Sequence, residues 1–123
     1  ISADEMFYNP AENTLLFLGK GILAVQNIDV AAPSISVAFK EEGGIGVLTA
    51  SGGVTFKSKQ HEGTSSKAVY DMENETITFT GNPVIKDKEK GTLQGDKLTF
   101  YLADDRIIVE NLGRRRSVTV IKS

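Results

Sequence analysis

Tyr70-Asp71-Met72-Glu73-Asn74-Glu75-Thr76-Ile77-Thr78-Phe79-Thr80-Gly81-Asn82-Pro83 decides the fold. An aromatic residue is followed by a polar link of hairpin length, rich in side chains that can bond their own backbone. A strand of period two comes next, with Ile77 and Phe79 on one face and three threonines on the other. Gly81-Asn82-Pro83 then stops it.

The same unit recurs along the chain. Tyr8, Phe39, Tyr70 and Phe100 stand 31, 31 and 30 residues apart. At an offset of 62, Tyr8-Asn9 matches Tyr70-Asp71, Thr14-Leu15 matches Thr76-Ile77, Phe17 matches Phe79 and Gly19 matches Gly81. At an offset of 30, Phe100, Asp104-Asp105, Ile107, Val109 and Asn111 fall where Tyr70, Asn74-Glu75, Ile77, Phe79 and Gly81 stand. The copy from Phe39, with Glu41-Glu42-Gly43-Gly44 as its turn and Ile45 and Val47 after it, is more degenerate. A period near 30 residues means one supersecondary unit that buries its apolar face by stacking on its neighbours.

Val54-Thr55-Phe56-Lys57, Ile35-Ser36-Val37-Ala38-Phe39 and Arg106-Ile107-Ile108-Val109-Glu110 have the same alternation. No segment carries a sustained helical period. The pattern predicts an all-β chain of about ten to twelve short strands at the spacing of a sandwich, barrel or roll. Tight local links make successive strands antiparallel, and stacked hairpins favour two facing sheets. Gly19-Lys20-Gly21, Ser51-Gly52-Gly53 and Gly81-Asn82-Pro83 are expected to end strands.

Length and composition bound the rest. With 123 residues and 40% hydrophobic content, the chain predicts a single domain over residues 1–123 with a core of ordinary size. The formal charge of -2, from 14 basic and 16 acidic residues mixed along the chain, selects neither nucleic acid nor an anionic membrane. Without cysteine there is no disulfide or thiolate metal site, and compartment cannot be read from redox chemistry. No apolar run is long enough to cross a bilayer. Ile1 falls inside what reads as a repeat, which predicts an upstream segment.

Catalysis has little to stand on. The sole histidine, His61, sits in the polar stretch Lys59-Gln60-His61-Glu62-Gly63 and reads as a solvated hairpin tip. The carboxylate neighbours Asp104-Asp105, Glu41-Glu42 and Asp71 with Glu73 fall in turns, where they serve backbone geometry. The glycine clusters open no helix and so carry no nucleotide fingerprint. An enzyme acting on a glycan would need carboxylates converging in a cleft, and no cofactor is implied. Leu15-Leu16-Phe17-Leu18 is apolar on both faces, which predicts a cover from elsewhere in the chain, from a second protomer or from the upstream segment. Arg114-Arg115-Arg116 is the one concentrated basic patch, either guarding the edge strand Val118 to Ile121 or contacting an anionic group.

Ser66-Lys67-Ala68-Val69-Tyr70-Asp71, Ile77-Thr78-Phe79-Thr80-Gly81-Asn82-Pro83-Val84 and Leu93-Gln94-Gly95-Asp96-Lys97-Leu98-Thr99-Phe100, in that order and followed by the basic turn and the Ser117 to Ile121 strand, resemble the OstA-like repeat of the LptA-type periplasmic lipopolysaccharide-transport proteins. The resemblance covers essentially the whole chain. It implies a β-jelly roll open along one side, two antiparallel sheets facing each other in a V, with lipid A acyl chains in an apolar interior. It implies a periplasmic location and a non-catalytic role. As partners it implies lipopolysaccharide or a related amphipathic lipid and the homologous jelly rolls of inner- and outer-membrane transport complexes, with head-to-tail stacking of like domains.

On that resemblance, Leu15, Phe17, Phe39, Val47, Val54, Phe56, Tyr70, Ile77, Phe79, Leu98, Phe100, Ile107 and Val109 form the lipid path, and Arg114, Arg115, Arg116 or the lysines Lys57, Lys67 and Lys97 meet the head group. In a closed sandwich the same apolar residues are ordinary core. An acyl chain of about a dozen methylenes, fully buried, would contribute roughly 10 kcal/mol, so a carrier that hands its cargo on must bury chains only partly. The other reading is a structural or interaction module of the same fold, such as the soluble domain preceding an outer-membrane barrel.

Overall fold

The computed structural model describes residues 2–111 and 117–122. They form eleven strands: β1 (Glu5–Asn9), β2 (Thr14–Val25), β3 (Ile28–Phe39), β4 (Ile45–Lys57), β5 (His61–Asp71), β6 (Thr76–Thr80), β7 (Val84–Asp87), β8 (Gly91–Gln94), β9 (Lys97–Tyr101), β10 (Arg106–Asn111) and β11 (Ser117–Lys122). No helix occurs among the described residues. All pairings are antiparallel, and the strands make one hydrogen-bonded sheet in the order β1-β2-β3-β4-β5-β6-β9-β10-β11, with β7 beside β5 and β8 beside β7.

The repeat is visible in the backbone. Asn13, Gly44, Glu75 and Asp105, again 31, 31 and 30 residues apart, all have left-handed φ, at 52°, 85°, 53° and 52°. Each ends the polar link of its copy. In two copies the link is built on an acceptor at its start: Asn9 Oδ1 accepts from the amides of Ala11 and Glu12, and Asp71 Oδ1 from those of Glu73 and Asn74. Neighbouring copies are tied through the same residues, since the amide of Phe39 donates to the carbonyl of Asn13 and that of Leu102 to the carbonyl of Glu75.

One sheet becomes two layers because the long strands bend. Register shifts fall between Leu18 and Gly21, Ala31 and Ser34, and Ser51 and Val54, a line of bulges across β2 to β5. A bulge adds twist and kinks the strand while the ladder continues on both sides. Gly19, Gly52 and Gly53, all at positive φ, therefore bend strands; contrary to the expectation from sequence, Gly19-Lys20-Gly21 and Ser51-Gly52-Gly53 lie inside β2 and β4. Only Gly81-Asn82-Pro83 is a break, separating β6 from β7. The first layer holds β1, β6, β9, β10, β11 and the portions of β2 to β5 nearest the repeat turns. The second holds the remaining portions with β7 and β8.

The inward face of the first layer is two cross-strand rows. One runs Tyr8, Leu15, Val37, Leu48, Tyr70, Ile77, Phe100, Ile107, and the other Met6, Phe17, Ile35, Ala50, Ala68, Phe79, Leu98, Val109. Val30, Phe56 and Ile85 face them from the second layer. Phe56 stacks on Phe79 with ring centroids 4.1 Å apart and meets Phe100 edge-on at 5.5 Å. This aromatic cluster joins the layers at the centre of the core. It needs Gly63, because a Cβ there would strike the Val84 carbonyl and the Phe56 ring. These elements make an open antiparallel jelly roll.

Candidate functional site

Of the apolar residues expected on the lipid path, Val54, Phe56, Ile77, Phe79, Leu98, Phe100, Ile107 and Val109 are buried and packed on one another. Leu15, Phe17, Phe39 and Tyr70 are half-buried against that cluster. Val47 stands apart: it is paired with Ala38 and Asp71, on the opposite face from Leu48 and Ala50, which are the inward residues of that part of β4. The two-residue bulge at Gly52-Gly53 preserves the parity of β4, so inward Val54 and Phe56 require inward Leu48 and Ala50. The interior is filled; an internal void lined by Leu23, Val30, Ile35, Leu48 and Ile77 among others measures about 10 Å³.

Exposure increases toward the edges of the sheet. In β1 Met6 and Tyr8 stand on the inward rows yet are largely exposed, because nothing in the second layer reaches over them. On the outer face, Phe7, Leu16, Ser36, Thr49, Val69, Thr78, Thr99, Ile108 and Val120 form one row from edge strand to edge strand. Its two ends are apolar and open, with Phe7 and Val120 each 52% exposed. The two-faced strand around Leu16 and Leu18 is flanked by β1, which puts Phe7 beside Leu16 and Glu5 beside Leu18.

Between the hairpin tips of the second layer and the turn ends of the first, the cleft has a mouth of about 210 Å³. Ile28, Phe100, Leu102 and Ile107, all buried, form its floor. Asn27, Lys59, Gln60, Asp105 and Arg106 stand on its rim. The Arg106 guanidinium lies 4.4 Å over the Tyr101 ring, and its Nε is 3.7 Å from Asp104 Oδ2. By contrast, Lys57 is on the outer face of the second layer, and Lys67 and Lys97 pair with Thr80 on the outer face of the first. None of these three lysines faces the cleft. Arg114, Arg115 and Arg116 lie outside the described residues.

His61 is not a solvated tip. It is 4% exposed, opens β5 directly opposite Asp87 and brings Nε2 to 2.7 Å from Asp87 Oδ2. Its ring also reaches Phe100 of the first layer, 6.5 Å between centroids. Straight alternation back from Tyr70 would turn His61 outward; a bulge at Ser66 shifts the parity so that Ser65, Gly63 and His61 point inward. Asp87 also accepts from the amides of Glu89 and Lys90, at 2.8 and 3.0 Å. Those two amides first, and then the His61 imidazole, hold its carboxyl below the usual range. Asp71 is lowered likewise, chiefly by the 2.7 Å bond from the Asn74 side chain and then by the Asn74 and Glu73 amides. Both carboxylates are committed to turns.

A further concavity of about 700 Å³ lies on the outer face of the second layer, where Asp29, Lys57, Glu62 and Lys86 alternate in sign across four strands beside the half-exposed Ile22.

The geometry can be set beside known proteins. The crystal structure of LptH, described as the LptA-homologous periplasmic component of the conserved lipopolysaccharide transport device from Pseudomonas aeruginosa, superposes with a TM-score of 0.76 over 99% of this chain and 92% of that one, at 10% identity. That likeness shows the shared fold. A search of curated proteins by sequence finds no match. The family described as LptA/(LptD N-terminal domain) LPS transport protein matches residues 1–106, and the chain therefore belongs to that family of lipopolysaccharide-transport proteins.

Proposed function

We propose that this chain is a periplasmic, non-catalytic carrier module that receives lipopolysaccharide between its two layers and passes it along a file of like domains. The observation that carries the reading is the continuity of the inward rows. They run without a polar interruption from Tyr8 and Met6 at one edge to Ile107 and Val109 beside the other. A lipid chain lying along them would cross every repeat and leave at a sheet edge. The family assignment supplies the cargo, since members are lipopolysaccharide-transport proteins.

The filled interior sets a condition on this reading. Acyl chains enter only if the layers part, and the half-buried Leu15, Phe17, Phe39 and Tyr70 are the residues at which parting costs least contact. The outer row supports the file: in head-to-tail pairing of β11 on β1 of the next copy, Val120 would stand beside Phe7 and continue the row. Such pairing is heterologous and builds an open filament.

The test is a photo-reactive phenylalanine analogue placed singly at Phe17, at Phe39 and, as the outward control, at Thr49, irradiated with lipopolysaccharide. Adducts from Phe17 and Phe39 with none from Thr49 are expected. A folded protein that gives no adduct from any of them would move the assignment to a structural module of the same fold, which the packed core would suit.

A further inference from the structure

Among the described residues, the cleft mouth is where the apolar interior meets Lys59 and Arg106, with the amides of Asn27 and Gln60 and the carboxylate of Asp105 on the same lining. Phe100 and Ile107 belong both to an inward row and to the floor of the mouth. Whatever lies with its apolar part on them therefore has its polar end at the rim. There Lys59 comes from the β4–β5 turn of the second layer and Arg106 from the start of β10 in the first, with Asn27 and Gln60 on the same lining.

Arg106 can meet a ligand only through its terminal nitrogens. Its Nε is shut off from solvent and has no hydrogen-bond partner among the described residues, the 3.7 Å approach of Asp104 being too long for one. Stacking on Tyr101 fixes the plane of the guanidinium, which suits bidentate capture of a phosphate. Side-chain amides and an aromatic ring are the groups that hold a sugar's hydroxyls and its apolar face. The volume of about 210 Å³ accommodates a hexose ring.

Resting on the lipid-carrier reading, we propose that this mouth is a head-group subsite that binds the phosphorylated sugar of an amphipathic lipid, with Lys59 and Arg106 on the phosphate and Asn27 and Gln60 on the hydroxyls. Because the two cations belong to opposite layers, one phosphate between them would hold the layers at a set separation while chains lie inside. Head-group binding and acyl-chain binding would then favour each other.

The experiment compares lipid A with the same lipid enzymatically stripped of phosphate, and adds glucosamine 1-phosphate as a chain-free probe, on the wild type and on Lys59→Gln/Arg106→Gln. Thermal unfolding of the variant checks that it folds. The expected result is that the variant loses about tenfold in affinity for phosphorylated lipid A, is unchanged toward the stripped lipid, and that the wild-type preference weakens with salt. Competition by glucosamine 1-phosphate at millimolar concentration would assign the contact to the head group itself. Equal losses on both lipids, or no loss on either, overturn the subsite and leave the carrier reading standing. A wild type that binds neither lipid overturns the carrier reading and the subsite with it.

Discussion

The ring of Phe56 lies 4.1 Å from that of Phe79, with planes 30° apart, although the two residues belong to opposite layers of one folded sheet. Both are buried, Phe79 completely, and each also touches Phe100 edge-on. The pair is thus the central contact between the two layers of the jelly roll.

Phe79→Ala and Phe56→Ala are each expected to cost about 3–5 kcal/mol of unfolding free energy, because each leaves a cavity that the sheets cannot close. The double variant should cost less than the sum, since either truncation already removes the stack. Gly63→Ala should cost about 1–3 kcal/mol by forcing the Val84 carbonyl and the Phe56 ring away from the new Cβ. Urea denaturation measures all four; additive losses would show that the rings do not act as a unit.

The pH dependence follows from two turn carboxylates. Asp71 and Asp87 both have folded pKa values below their ordinary 3.8. Their contribution is therefore complete above 3.8 and is lost as pH falls through the lower folded values. The stability gap between the wild type and Asp87→Asn should narrow progressively as pH falls below the ordinary carboxylate range. A gap that widens as pH falls below the ordinary carboxylate range would contradict the assignment of Asp87 as an anion in the folded state.

In the proposed file Phe7 and Val120, the ends of one cross-strand row, meet at each junction, so a single charge at either should disturb that association more than the fold. Phe7→Asp is expected to shift sedimentation toward monomer. Adding Val120→Lys in the same chain should restore assembly in low salt and not in high salt, because the two new charges would meet across each junction. Association that ignores both substitutions would place the contact elsewhere.

Glu75 carries a left-handed φ of 53° where the corresponding position of another copy is Gly44 at 85°. Replacing Glu75 with glycine should relieve the crowding of its Cβ and raise stability by a few tenths of a kcal/mol up to about 1, after the added freedom of the unfolded chain is deducted. Gly44→Ala, with open space around it, should lose about 1 kcal/mol through backbone alone. Thermal melts distinguish the two signs.

The repeat was legible in the chain because each copy restates the same local chemistry. An aromatic residue, a link that bonds its own backbone and an alternating strand are decided within a dozen residues. They sufficed for the all-β class, the antiparallel pairing, the turn carboxylates and the inward orientation of Ile77, Phe79, Leu98, Phe100, Ile107 and Val109. Parity across a bulge was not legible, because one inserted residue reverses every side chain beyond it and leaves no mark in composition. That is how His61 came to stand inward; Val47 stands outward by plain alternation, since the 31-residue offset puts Leu48 where Phe79 stands.

The bend lines at Gly19 and Gly52-Gly53 also depended on long-range structure: a glycine at positive φ serves a turn or a bulge equally, and only the partner strand decides which. The mouth depended on it entirely. Asn27, Lys59, Gln60 and Arg106 are scattered through the sequence on three separate segments, and folding one sheet back on itself is what brings them to a single opening. Local sequence determined the units and their faces, because turn and strand preferences act over a few bonds. The tertiary structure alone decided which layer covers which, because that depends on how bulges accumulate twist across the whole sheet.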